Sequence, residues 1–169
     1  MKRTIGLIMF VFLMQRIFAM GIGACVNSTL EFGMTSESKD ISSTFGASFS
    51  LKPERFPFHL FLDTSADPFL HFFTVRAAAD YWMLNPAITD YMRFFFGAGV
   101  LCGANIYSSR ADLVLAPRAF LGLHWILLDG FLEPFLQLTA EPSFALDFTD
   151  LSCTFLMEVP LAIGVRIWN

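Results

Sequence analysis

Apolar and non-apolar residues alternate with a period of two along most of this chain, and the alternation breaks at turn residues. A β-strand sends successive side chains to opposite faces, so this period predicts strands. The clearest stretch covers 155–168. Phe155, Met157, Val159, Leu161, Ile163, Val165 and Ile167 form a wholly apolar face, opposed by Leu156, Glu158, Pro160, Ala162, Gly164, Arg166 and Trp168. The same split recurs over 22–32, 45–51, 58–62, 73–83, 92–104, 113–125 and 131–141. Eight strands are therefore expected, each apolar on one side and small, polar or charged on the other. Segments of about ten residues with that alternation are the pattern of a transmembrane β-barrel.

The connections fit an up-and-down antiparallel order. Lys52-Pro53-Glu54-Arg55, Asn85-Pro86-Ala87 and Leu128-Asp129-Gly130 read as tight turns. They alternate with stretches richer in Ser, Thr and Asp at 33–44, 63–68, 105–112 and 147–152. Short turns on one side and longer loops on the other are expected of such a barrel. A polytopic helical membrane protein is the alternative. The most hydrophobic windows, 92–107 and 113–128, are barely long enough to span as helices, and they contain Arg93, Gly97, Gly99, Gly103, Pro117 and Arg118. Proline inside a helix costs about 3 kcal/mol, and Arg at mid-membrane on a helix about 2.5 to 3.5 kcal/mol. On a strand Arg118 points inward instead.

Composition strengthens the barrel reading. Of 169 residues, 55% are hydrophobic, only 15% are charged, and 21 are Phe. A soluble domain carries about 25% charged residues, so much of this surface is expected to face lipid. A soluble eight-stranded barrel would have a polar outer face. The net charge of −4 speaks against nucleic-acid binding. Residues 1–19 read as a secretory signal, with Lys2 and Arg3 followed by an apolar run from Ile5 to Met14, which leaves 20–169 as the barrel. Ile22-Gly23-Ala24-Cys25 also has the look of a lipidation site, although the same residues fit the first strand. The three cysteines show no metal or redox spacing.

The inward faces collect Glu31, Arg76, Asp80, Arg93, Arg118, His124, Glu133, Gln137, Glu141, Glu158 and Arg166. An isolated buried charge is very costly, so these groups are expected to form a lumen network of ion pairs. Eight strands leave an interior that side chains just fill, which favours a plug over a conduit. Trp82, Trp125 and Trp168, with Tyr81 and Tyr91, fall near the turns or the chain end and are expected to form an aromatic girdle at one membrane interface. His59, His71 and His124 are scattered over three strands without a nucleophile at fixed spacing, so no catalytic site, metal site or cofactor is expected. The loops are acidic, with Glu37, Asp40, Asp63, Asp67, Asp112, Asp147 and Asp150.

With Gly-rich strands such as Phe96-Gly97-Ala98-Gly99 and a closing strand at 160–168, the chain resembles the small eight-stranded outer-membrane proteins, the group containing the OmpA membrane domain, OmpX and OmpW. The resemblance covers 20–169 and implies an outer-membrane location, insertion by the outer-membrane assembly machinery, and a structural or surface-interaction role. For OmpW-like members it implies passage of small hydrophobic solutes. Members typically end in an outward aromatic residue, whereas here Trp168 is penultimate and in phase with the inward face.

Overall fold

Alternation over eight segments produces eight strands that close on themselves. The computed structural model describes residues 20–33, 41–54, 56–67, 72–107, 111–147 and 152–169; the expected signal at 1–19 lies outside them. The strands are β1 (Met20–Gly33), β2 (Ile41–Pro53), β3 (Phe58–Asp67), β4 (Phe72–Leu84), β5 (Met92–Ile106), β6 (Ala111–Trp125), β7 (Leu132–Asp147) and β8 (Ser152–Ile167). Each pairs antiparallel with the next, and β1 pairs with β8 to complete an all-β closed barrel. No described helix is long and apolar enough to cross a membrane, and the helical alternative finds no support.

The two faces separate as the period requires. Val26, Phe45, Val100 and Ile163 stand outward, between 56% and 65% exposed. Among the residues turned inward, Arg76, Asp80, Arg118, Glu133, Glu141, Glu158 and Arg166 are all buried. An arginine or lysine turned outward at mid-membrane would cost roughly 2–4 kcal/mol, so a lipid-facing belt explains both halves of the pattern. Cys25 packs inside the barrel, paired in register with Ser48 and Gly164, in the middle of a strand that continues on both sides. Cys102 and Cys153 are exposed on the outer face, and none of the three forms a disulfide.

The strands run further than the alternation alone indicated. β3 continues to Asp67, β5 to Ile106 and β7 to Asp147. Connections at 68–71, 107–110 and 148–151 are as short as the turn at 54–57, so the expected contrast between short turns and longer loops does not hold. Polar residues near the strand ends stay in the ladder because they point inward: Asp112 pairs in register with Asp147, and both are buried. Asp63, expected in a loop, lies inside β3.

Proline leaves one visible mark on the wall. The β6–β7 ladder pairs Leu115 with Phe144 and resumes at Ala119 with Ala140. The register between them sets Pro117 opposite Pro142, two residues without an N–H to donate. No ladder pair forms there. A similar break separates Leu138–Leu161 from Glu141–Glu158 in the β7–β8 ladder, beside Pro160.

Candidate functional site

The interior is the chemically distinctive part of the molecule. The rim that carries 54–57, 85–91 and 126–131, together with Met20 and Asn169, is called here the turn rim. Just inside it, Glu133 of β7 gathers two hydrogen-bond donors and two further nitrogen-bearing side chains. Arg166 of β8 pairs with it directly, His124 Nδ1 lies 3.1 Å away, Lys52 Nζ 3.8 Å away, and Trp168 Nε1 donates at 2.6 Å. The register makes this meeting inevitable, since Glu133 stands opposite Arg166 across the β7–β8 ladder. His124 also bonds through Nε2 to Asn85 Oδ1 at 2.9 Å. Arg166 is fully buried; it lies 4.0 Å from the Phe135 ring centre and 3.3 Å from His59 Nδ1.

Aromatic rings fill the space at this level. Trp82 stacks on Phe95 with centroids 4.4 Å apart, and Phe95 meets Phe120 at 6.1 Å. These rings fit because glycine faces them. A Cβ at Gly122 would run into the Phe95 ring and the Leu136 carbonyl, and a Cβ at Gly97 would run into the Phe120 ring.

Further in, Arg118 reaches Asp80 at 3.3 Å and Glu141 at 3.2 Å, joining β6 to β4 and β7. Asn27 and Ser48 donate to Asp63, the latter at 2.7 Å. A small void of about 40 Å³ lies among these groups. Above them Arg76 grips Glu158 with two bonds of 2.7 and 2.8 Å and reaches Asn105 at 3.3 Å. Glu31 accepts from the Ser42 hydroxyl at 3.0 Å. Three glutamates, Glu31, Glu158 and Glu141, stand side by side on β1, β8 and β7 in this row.

The structure thus brings Arg76, Asp80, Arg118, Glu133, Glu141, Glu158 and Arg166 into lumen ion pairs, and places Glu31 beside them. Arg93 is set apart: it lies near the turn rim and no carboxylate pairs with it among the described residues. The aromatic girdle needs a correction. Tyr81 and Tyr91 are exposed on the outside and Trp125 is half-buried. Trp82, however, is 6% exposed and points into the lumen, because it shares the phase of Asp80 and Ala78. Trp168 is half-buried, its indole tied inward to Glu133. Lys52 and Asp63 were missed as interior groups. Each follows the alternation of its strand, Lys52 after Ser48 and Ser50, and Asp63 after His59 and Phe61, but turn-like neighbours hid them. His71 lies outside the described residues.

No group of three or more described His, Cys, Asp or Glu residues is placed to hold a metal ion. A closed meander of eight strands, apolar outside and filled with ion pairs inside, decides the architecture. The fold is that of a small eight-stranded outer-membrane β-barrel. Among solved structures, the chain is similar to Neisserial surface protein A, with a TM-score of 0.65 at 10% identity over 89% of this chain and 97% of that one. It is also similar to Ail, the attachment invasion locus protein of Yersinia pestis, with a TM-score of 0.55 at 7% identity over the same shares. At these identities the likeness speaks for the fold. No protein-family model matches the chain, and no curated protein matches it.

Proposed function

We propose that this chain is an integral outer-membrane barrel with a structural role, closed to solutes and without enzymatic activity. The observation that carries the reading is the set of buried lumen ion pairs at three depths: Arg166–Glu133 joins the neighbouring strands β8 and β7, Asp80–Arg118–Glu141 joins β4, β6 and β7, and Arg76–Glu158 ties β4 to the opposite wall at β8. Buried pairs of this kind fix geometry, and breaking one leaves a charge stranded in a low-dielectric interior. In this reading the turn rim faces the periplasm, the belt faces the bilayer, and the assembly machinery of the outer membrane inserts the chain. A charged interior opposes passage of small hydrophobic solutes. Contact with a host surface, in the manner that the name of Ail indicates for that protein, would fall to the far rim, where the connections at 68–71, 107–110 and 148–151 are short.

The test is single-channel recording of the refolded chain in planar bilayers. Insertion without stable conductance steps is expected, with the folded state verified by a heat-dependent shift in gel mobility. Reproducible ohmic steps would overturn the plugged reading.

A further inference from the structure

The turn rim opens into a cavity of about 880 Å³, within the range of small-molecule pockets. Its walls are apolar where Phe56, Pro57, Ile126, Phe131 and Trp168 line them. Its polar groups converge from the barrel side. Lys52 Nζ sits 3.4 Å from the Trp82 ring centre and 5.4 Å from that of Trp168. Arg93 reaches the same cavity with no described carboxylate paired to it. Trp82 lines the cavity, is 6% exposed, and its indole Nε1 has no hydrogen-bond partner among the described residues.

The nearby acid does not cancel these cations. Glu133 already accepts from Arg166 and Trp168 and lies close to His124 and Lys52. Arg166 lies behind the floor and is spent on that carboxylate, so the cations that face the cavity itself are Lys52 and Arg93. Glu54 and Asp129 also line the opening, but both are exposed, where water and salt screen them more strongly than partly buried groups. A guanidinium with no acid partner among the described residues, an ammonium set over an indole ring and a buried indole donor beside aromatic walls ask for one kind of guest: an anionic oxygen on an apolar body.

We infer that this vestibule is a binding site for a small amphipathic anion, an aromatic or short aliphatic carboxylate, whose charged group meets Arg93 and Lys52 and whose body lies against Trp168 and Phe131. The site opens at the mouth and ends at the aromatic layer, so it holds a ligand without conducting it. That property goes beyond a structural role and does not depend on it.

The experiment uses the refolded full chain in nanodiscs and two probes of matched shape, 2-naphthoate and the neutral 2-naphthalenemethanol. Binding is read by the indole N–H resonances and by fluorescence quenching. The expected result is saturable naphthoate binding that perturbs the Trp82 and Trp168 signals, at least tenfold tighter than the neutral analogue. Arg93→Gln should weaken naphthoate about tenfold and leave the neutral probe unchanged, with Lys52→Met as an independent second variant. Equal response to both probes would mean partition into apolar surface only and would overturn the proposal. So would naphthoate affinity that survives both substitutions in chains whose gel mobility shows them folded. Conductance in bilayers tests the plug separately, so failure of one reading is distinguishable from failure of the other.

Discussion

Glu133→Gln is expected to destabilise the barrel more than Arg166→Met, although both break the same pair. The asymmetry follows from what each change leaves behind. Without its carboxylate partner, Arg166 remains fully buried among His59 Nδ1 at 3.3 Å and the Phe135 and Trp82 rings, while Lys52 loses its nearby countercharge. Stranding a buried charge costs roughly 3–5 kcal/mol. Without Arg166, Glu133 still has Trp168 donating at 2.6 Å and the Lys52 ammonium nearby at 3.8 Å. That loss is closer to one hydrogen-bonded group, roughly 1–3 kcal/mol. The double variant should cost less than the sum of the singles by about 1 kcal/mol or more, since contacting residues couple. The assay is urea unfolding of the chain in lipid vesicles, followed by tryptophan fluorescence and by the mobility of unheated samples. A Glu133→Gln barrel within about 1 kcal/mol of the native one, or one more stable than Arg166→Met, would refute the hub.

Two further outcomes follow from the wall and its filling. Gly122→Val should cost roughly 1–3 kcal/mol or prevent folding, because its side chain would occupy the place of the Phe95 ring and press on the Leu136 carbonyl; vesicle unfolding and gel mobility report it, and a neutral result would show that the ring layer can move aside. The amides that flank the Pro117–Pro142 break on the β6–β7 side, at 115, 119, 140 and 144, should exchange with deuterium at least about tenfold faster than those of Leu121 and Leu123, which point the same way where the two strands pair without interruption; equal protection would show that the wall is sealed there by other means.

The architecture was legible because one physical signal, the period of two, runs through every strand. Arg118, Glu133, Glu158 and Arg166 could be assigned to the lumen from phase alone, and the register then turns Glu133 and Arg166 into neighbours. Where sequence reading went astray, a local cue outvoted the phase. Trp82 was drawn to the membrane surface by its nearness to Asn85-Pro86, yet its parity with Asp80 sends it inside. Lys52 was absorbed into a turn by Pro53 and Glu54, and Asp63 into a loop by the polar residues that follow it. Strand ends were hidden for a different reason: polar inward residues such as Asp112 and Asp147 look like loop in a sequence but satisfy a barrel mouth. Which acid each arginine meets depends on the circumference of the closed sheet, as with Arg76 and Glu158, eighty-two positions apart. Periodicity along one strand carries no such information.

The three unpaired thiols have a consequence for the life of the chain before it folds. In the barrel Cys25 is packed against the lumen side of the wall, while Cys102 and Cys153 look outward. Packed side chains around the one, and the lipid against the outer face that carries the other two, keep oxidants and other chains at a distance. An odd number of cysteines is hazardous in an oxidising compartment, where a leftover thiol finds another chain. Closing the barrel in lipid is therefore also the step that withdraws all three thiols from oxidants and from other chains.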